Sequence, residues 1–254
     1  MNYLRPVMSI LFFAGIVVFS AAVADAQATR TWISGVGDDA NPCSRTAPCK
    51  TFAGSISKTA ASGVINCLDP GGFGAVTITK SITIDCKGTV GGILAAGTTG
   101  IIINNATAVV RIRGVNIDGV GTGIFGVRVI AASKVMIEDS EIDGFTTNGV
   151  SVETTGVAQV FVNNTTIRNC VSNGINITPS ASTDVTITNS AISFNGIGVY
   201  TGANGVARLS GNTISYNTTG IAPTGRGAQI VSFGNNTFTG NLTDGVPTST
   251  ATQQ

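Results

Sequence analysis

The 254-residue sequence contains no histidine, and only 11% of its residues are charged. Without histidine the chain lacks the commonest general base and a principal zinc ligand, which excludes a serine–histidine–aspartate triad and most zinc sites. The formal net charge of +1 and the lack of a stripe of lysine and arginine exclude an electrostatic nucleic-acid-binding surface. The hydrophobic share of 43% excludes a disordered chain, which combines low hydrophobicity with high net charge.

Residues 1–26 have the features of a secretory signal peptide. Arg5 supplies positive charge, the stretch from Val7 to Val23 is apolar, and Ala24-Asp25-Ala26 matches the small-residue cleavage pattern. The apolar stretch also approaches the length that spans a bilayer, so an uncleaved membrane anchor is the alternative. We expect cleavage, and therefore a secreted or periplasmic protein that does not contact a membrane once the peptide is removed.

Export makes disulfide bonds the expected state of most of the five cysteines. Cys43 and Cys49 flank a short proline-containing loop and are the first predicted pair. Cys67 and Cys86 follow the matching dipeptides Ile-Asn and Ile-Asp, which would place them on neighbouring repeats about 4.8 Å apart, within reach of a disulfide. Cys170 then has no partner. Because no histidine is available to activate its thiol, we expect Cys170 in the core.

Apolar residues recur at a nearly constant interval from about residue 110 onward. The spacings are 25, 25, 25, 22 and 24 residues in the series Ile117, Ile142, Ile167, Ile192, Ile214 and Phe238. Short segments rich in β-branched residues precede them, such as Val185-Thr186-Ile187-Thr188, in which apolar and polar residues alternate as in a strand. A unit of this size cannot bury its apolar face alone, so we expect the units to stack with each strand parallel to its copy in the next repeat.

This pattern predicts the fold class. Strands that pair in parallel between successive repeats form a coil, and the strong preference for right-handed crossovers sets its handedness. The sequence therefore predicts an all-β, single-domain, right-handed parallel β-helix of about eight three-stranded coils. Asn-Gly pairs such as Asn148-Gly149 and Asn173-Gly174 are predicted to form its turns, because both residue types reach the left-handed backbone conformation with little strain. Stacked asparagines can also hydrogen-bond along a column.

The two ends of the coil are predicted to differ. Residues 27–62 are expected to cap the first coil, because an uncovered stack of strands would aggregate. The spacing of Phe52, Ile56 and Ala60 predicts a short capping helix near residues 51–61. The β-helix itself is predicted over 63–247, followed by a polar tail at 248–254.

The cap region resembles a known family. Trp32-Ile33-Ser34-Gly35 is followed by Gly37-Asp38-Asp39-Ala40-Asn41-Pro42-Cys43 and then by Pro48-Cys49-Lys50-Thr51-Phe52. This order is similar to the amino-terminal signature of secreted pectin-lyase-like β-helix proteins, in which a G-x-D-x-N-P segment precedes a P-x-x-T-[IF] helix and the first coil. The resemblance implies the fold, secretion and polysaccharide as the class of ligand. It carries over no catalytic residue, because no active-site motif of that family is present.

Charge is concentrated at outward positions of the early coils. Arg111 and Arg113 fall on one coil, and Glu138 and Glu141 fall on the next. These four residues are candidates for a ligand-contacting surface. Their simplest role is a solubilising face on which opposite charges pair across about 4.8 Å, as Arg113 and Glu138 would.

Asp118, Asp143 and Arg168 are expected in one outward column on three successive coils. Asp118 directly over Asp143 would destabilise the sheet unless a cation lay between them, and Ca²⁺ is the ion that carboxylates would hold. Two acids fall short of the six to eight oxygens that Ca²⁺ takes, and Arg168 can neutralise Asp143. We therefore predict no bound metal and no cofactor.

Two functions of different classes fit these residues. The first, which we favour, is a non-catalytic extracytoplasmic scaffold that presents a weakly charged surface to a polysaccharide or a cell-envelope glycan. The second is a polysaccharide lyase or glycoside hydrolase that acts on an acidic polysaccharide through Asp118, Asp143 and Arg168. The scarcity of tryptophan and tyrosine, on which sugar rings stack, favours the first, since only Tyr200 and Tyr216 follow the cap.

Overall fold

The computed structural model describes residues 27–252, so the predicted signal peptide lies outside the described residues. Within them the chain is almost entirely β-structure, with one short helix, α1 (Phe52–Lys58). A search of the same residues finds no helix with the length and apolar character needed to cross a membrane.

The strands are short and follow one another along the whole described chain. In chain order they are β1 (Ala28–Ile33), β2 (Thr59–Cys67), β3 (Gly71–Gly72), β4 (Val76–Ile78), β5 (Ile82–Asp85), β6 (Gly91–Leu94), β7 (Ile101–Asn104), β8 (Val109–Arg113), β9 (Val115–Ala131), β10 (Lys134–Glu138), β11 (Glu141–Val152) and β12 (Gln159–Asn163). The second half of the series is β13 (Thr166–Arg168), β14 (Asn173–Ile177), β15 (Thr183–Thr188), β16 (Ala191–Ser193), β17 (Ile197–Thr201), β18 (Gly205–Ser210), β19 (Thr213–Ser215), β20 (Thr219–Pro223), β21 (Gln229–Ser232), β22 (Thr237–Thr239) and β23 (Ser249–Thr250).

These strands form three parallel faces around one core. Face 1 is a ten-stranded sheet in the order β1-β2-β5-β8-β10-β12-β15-β18-β21-β23. Face 2 consists of β3, β6, the first parts of β9 and β11, β13, β16, β19 and β22. Face 3 consists of β4, β7, the second parts of β9 and β11, β14, β17 and β20. Because β9 and β11 bend from face 2 into face 3, these two faces join as one 13-stranded sheet.

The strand register confirms the predicted repeat. In the middle of the chain the offset between paired residues is 25, so that Val135 pairs with Val110 on one side and with Val160 on the other. All strand pairs in the part of the chain that the structure describes run parallel, including the pairs at both ends. The protein is therefore a right-handed parallel β-helix of about 7 turns, close to the eight coils predicted.

The core is the isoleucine column predicted from the spacing. Ile142 pairs in register with Ile117 and Ile167, and the column continues through Ile192 and Ile214, all five of them fully buried. It starts one coil earlier than predicted, at Ile93, and ends at the half-buried Phe238. Alternation within each strand places these side chains inward and their neighbours outward, so each coil is closed only by the coils on either side.

The pairs Asn148-Gly149 and Asn173-Gly174 do not form the left-handed turns that we predicted. Gly149 lies inside β11 with an ordinary backbone, and glycine is needed there because a Cβ would come within 2.5 Å of Ile167 Cγ2 and 2.8 Å of the Gly174 carbonyl oxygen. The predicted asparagine stacking does occur, since Asn173 Nδ2 donates to Asn148 Oδ1 at 2.9 Å. The left-handed turns lie elsewhere, for example at Asp139 and Asn164.

At the amino-terminal end the capping helix is shorter than predicted. α1 begins after the N-cap Thr51, whose hydroxyl accepts from Gly54 N at 2.9 Å, and its Phe52 packs edge-to-face on Phe73. It ends at Lys58 instead of near residue 61. The next residue, Thr59, is already extended, because its buried hydroxyl bonds to Thr31 at 2.8 Å within face 1.

The carboxyl-terminal tail also differs from the prediction. Residues after Pro247 continue the coil, because β23 pairs in parallel with β21 and places Ser249 beside Val231. The Thr248 hydroxyl supports this last pairing by accepting from Ile230 N at 3.0 Å. The polar tail predicted at 248–254 therefore includes the last strand of face 1.

Candidate functional site

The charged residues of face 1 form a shared ion-pair cluster. Arg111 donates from Nε to Glu138 at 2.5 Å, and Arg113 lies 3.6 Å from the same carboxylate. Arg113 also donates to Asp85 at 3.2 Å, one coil further toward the amino terminus. The hydrogen bond to Glu138 raises the pKa of the Arg111 guanidinium. Three of the four predicted surface residues are thus brought together, and the two arginines are balanced by the carboxylates of Glu138 and Asp85.

Asp118, Asp143 and Arg168 lie in register on face 2 as the sequence predicted, with Asp143 between the other two. Arg168 donates from Nε to Asp143 at 2.8 Å and from Nη2 to Glu141 at 2.5 Å. These contacts, chiefly the hydrogen bond to Asp143, raise the pKa of the Arg168 guanidinium. Glu141, predicted as part of one surface with Arg111, Arg113 and Glu138, therefore belongs to this face 2 cluster.

The carboxylates of this column do not fit a calcium site. The second oxygen of Asp143 accepts from Asn169 Nδ2 at 2.8 Å, and Asp118 accepts from the backbone N of Val120 at 2.7 Å. Among residues 27–252 no three acidic, cysteine or histidine side chains lie close enough to hold a metal ion together. Ca²⁺ would need six to eight oxygens and would have to displace the Arg168 guanidinium.

A third group of paired charges was not predictable from the repeat pattern. Lys87 donates to Asp139 at 2.8 Å, although the two residues are 52 positions apart, because they face each other across two coils. Asn164 donates to the other oxygen of Asp139 at 2.7 Å. These two hydrogen bonds hold the pKa of the Asp139 carboxyl below its usual value.

Face 3 carries a polar network that the sequence analysis also missed. Arg128 donates twice to Glu153, at 2.8 and 3.0 Å, and its guanidinium lies 5.0 Å from the centre of the Phe125 ring. Glu153 accepts from the buried hydroxyl of Ser151 at 2.7 Å, and Ser151 in turn accepts from Asn176 at 3.1 Å. Arg128, Ser151 and Asn176 lie in register on successive coils, but this position carries a different residue type on each coil, so no repeated residue marked it in the sequence.

The cysteines behave as predicted. Cys43 bonds to Cys49 and Cys67 bonds to Cys86, with Cα atoms 4.6 and 4.7 Å apart. Cys170 is free and buried, and burial raises the pKa of its thiol to about 12. A thiol with that pKa is protonated at neutral pH, so it is a poor nucleophile.

These features define a class of protein, a disulfide-stapled parallel β-helix whose outward charges are paired between coils. A family model described as "Right handed beta helix region" matches residues 99–253, more than half of the chain, and the chain belongs to that family. Its fold is that of the pectin-lyase-like right-handed β-helix. None of the curated proteins compared with the chain matches it.

A solved structure shows the same fold. The crystal structure of pectate lyase Pel9A aligns with a TM-score of 0.58 and 14% sequence identity, covering 88% of this chain and 77% of that protein. A rhamnogalacturonan lyase aligns with a TM-score of 0.34 and 11% identity over 72% of this chain and 73% of that protein. At these identities the alignment to the pectate lyase shows a shared fold, and the chemistry has to be argued from the residues of this chain.

Proposed function

We propose that the protein is a non-catalytic, extracytoplasmic β-helix whose outer surface contacts a polysaccharide or a cell-envelope glycan. The observation that carries the non-catalytic part is the double contact of Arg168. Its guanidinium is bonded to Asp143 and Glu141 together, at 2.8 and 2.5 Å. The residues best placed for catalysis are therefore hydrogen-bonded to one another.

The alternative is a lyase that acts through Asp118, Asp143 and Arg168. Elimination from a uronic-acid sugar requires a free base that takes a carbon-bound proton and a cation that neutralises the sugar carboxylate. Arg168 already has two carboxylates, and both oxygens of Asp143 accept hydrogen bonds. A substrate carboxylate would have to compete with two partners that are covalently part of the same surface.

Glycoside hydrolysis meets the same obstacle. It requires two carboxyl groups flanking a glycosidic bond, one of them protonated to act as the acid. The carboxylates of Asp143 and Glu141 are instead both engaged as hydrogen-bond acceptors of the Arg168 guanidinium. Asp118 is exposed, and its carboxylate accepts a hydrogen bond from Val120 N within its own turn. This contact directs it away from pairing with a second carboxyl group.

The glycan part of the proposal is supported by the fold and by its surface. The name of the structurally similar pectate lyase Pel9A states a polysaccharide substrate, and the present chain has long parallel sheets along the coil. Two disulfides support a location outside the cytoplasm, where such bonds persist. A polymer running along the coil would meet a similar set of polar side chains on each turn.

Affinity gel electrophoresis with immobilised polysaccharides tests this proposal. We suggest polygalacturonate, alginate, arabinoxylan, galactan and glucomannan as separate gels, with a gel that lacks polysaccharide as the reference. We expect retardation by at least one polymer whose chain length is unchanged after recovery. Equal mobility in all the gels, or shortening of the polymer that binds, would refute the proposal.

A further inference from the structure

One corner of the coil, between faces 2 and 3, repeats a left-handed backbone residue on five successive turns. The column comprises Gly144, Asn169, Phe194, Tyr216 and Gly240, with φ values of 75°, 55°, 58°, 55° and 68°. Glycine and asparagine are the residue types expected in this conformation. Bulky aromatic residues are rare in this conformation, because it strains their backbone. A purely structural turn would not need aromatic residues here, so the strain at Phe194 and Tyr216 points to a function.

The two aromatic rings form an exposed stack. Their centroids are 5.1 Å apart and their planes differ by 6°. Phe194 is 56% exposed and Tyr216 is 59% exposed, although smaller residues occupy the same corner on the other turns. The outer face of the Tyr216 ring packs on Gly240, where a Cβ would come within 2.7 Å of the ring. The outer face of Phe194 is therefore directed toward the coil that carries Asn169.

A hollow of about 390 Å³ lies beside this pair. Besides the two rings, its lining consists of Asn169, Cys170, Val171, Asn195, Gly196 and Thr218. The floor includes Gly196, where any side chain would meet the carbonyl oxygens of Ser172 and Val171 at 2.5 Å. The Asn169 amide is drawn toward the preceding coil by its 2.8 Å hydrogen bond to Asp143.

The lining carries no charged side chain, which restricts the chemistry of the ligand. A phosphate or uronate would find no cation in the hollow, and the nearby Arg168 is already bonded to Asp143 and Glu141. The hollow instead combines an aromatic wall with the hydroxyl of Thr218 and the amide of Asn169. An uncharged ring with apolar C–H faces and a polar hydroxyl edge is the complementary shape.

The geometry points to a stacking site for one pyranose ring of a neutral glycan, held on the outer face of Phe194, with the Tyr216 ring supporting Phe194 from the other side. This inference rests on the proposed glycan-contacting function and assigns that function to a particular corner. A protein partner fits less well, because a stable interface needs about 800 Å² on each side and the pair is flanked by the polar row Arg168, Ser193 and Ser215 of face 2.

Calorimetric titration with pure oligosaccharides tests the site. The probes are the pentasaccharides of cellulose, xylan, mannan and galactan, with pentagalacturonic acid as the charged comparison. The test variant carries Phe194→Asn and Tyr216→Asn, because asparagine occupies the same left-handed position at Asn169 and keeps the turn. The control is Phe161→Thr, which removes an aromatic from face 1, where Thr186 is the neighbour in register.

We expect a neutral pentasaccharide to bind the natural protein, to bind the double variant about tenfold more weakly or worse, and to bind the control unchanged. Binding should persist in about 0.5 M NaCl, where charge interactions are screened. The melting temperature of the double variant should not fall, because the strained turns are relieved.

Other outcomes contradict the inference in distinguishable ways. Undiminished binding by the double variant would overturn the site but leave the glycan function standing, as would binding of pentagalacturonic acid alone. Loss of a dimer in the double variant, seen by sedimentation, would assign the pair to self-association instead. No binding of any probe by the natural protein would remove both the site and the proposed function.

Discussion

Arg168 and Asp143 lie on adjacent coils of face 2 with the guanidinium Nε 2.8 Å from the carboxylate Oδ2. The same guanidinium holds Glu141, and Asp118 lies in register with Asp143 on the opposite side. One cation therefore moderates the repulsion among three carboxylates on neighbouring strands, where like charges in register would otherwise destabilise the sheet.

Replacing this cation should cost more than replacing an ordinary surface arginine. We expect Arg168→Gln to lower the free energy of unfolding by about 1 kcal/mol, the upper end for partly exposed pairs. The matched control Arg208→Gln loses only the pair with Asp184 and should cost less. Urea unfolding midpoints measure both variants, and adding Asp143→Asn should recover part of the Arg168 loss. Equal costs for the two arginines would show that the carboxylates do not repel one another measurably.

The Lys87–Asp139 pair predicts a pH dependence of stability. Hydrogen bonds from Lys87 and Asn164 lower the pKa of Asp139 in the folded state. Its contribution is therefore complete above the unfolded pKa of about 3.9 and is lost as the pH falls through the lower, folded pKa. Lys87→Met should make the loss of stability on acidification smaller. Urea midpoints measured from neutral pH down to about pH 2 provide the comparison.

Lys134→Met is the control for this pH effect. Lys134 is exposed on β10 and forms no salt bridge in the described part of the chain. Its removal should leave the slope of stability against pH as in the natural protein. If both lysine variants have the same slope, the pairing across two coils does not persist in solution.

Two glycine variants distinguish a position where close packing requires glycine from a position where glycine only adds flexibility. Gly149→Ala would place a Cβ within 2.5 Å of the core residue Ile167, and we expect it to lower stability by about 1–3 kcal/mol. Gly156→Ala meets no atom within 4 Å and has no left-handed backbone, so it should raise stability by about 0.4–1 kcal/mol. Thermal unfolding of both variants is the measurement. If Gly149→Ala does not lower stability, the coils are stacked in another register.

The disulfides should contribute according to the loops that they close. Cys67–Cys86 closes a loop of 19 residues and Cys43–Cys49 one of 6, which in the chain-entropy model correspond to about 3 and about 2 kcal/mol. Double alanine variants of each pair, compared by urea unfolding, should follow that order. Peptide mapping without reduction should recover these two pairs, and a thiol reagent should modify Cys170 only after unfolding. Any other pairing would contradict the register of the first coils.

The sequence was sufficient to predict the repeat and the column of Asp118, Asp143 and Arg168, and insufficient to predict other features of the surface. The column from Ile117 to Ile214 was predictable because inward positions recur at a fixed spacing and must be apolar. The Lys87–Asp139 pair was not, because it joins residues two coils apart at a corner where the repeat length varies. The Phe194–Tyr216 stack was not predictable for another reason. Glycine and asparagine in a sequence indicate a left-handed turn, whereas an aromatic residue gives no such indication.

The central claim is that the protein contacts a glycan without cleaving it, because the acids of face 2 are paired with Arg168. The most direct measurement is the release of unsaturated or reducing sugar ends from polygalacturonate, alginate and the neutral polymer that the protein retains, with and without added calcium. We expect no new unsaturated or reducing ends from any polymer under either condition. Unsaturated or reducing ends that accumulate with the natural protein and disappear with Asp143→Asn would contradict it and identify Asp143 as part of a catalytic centre.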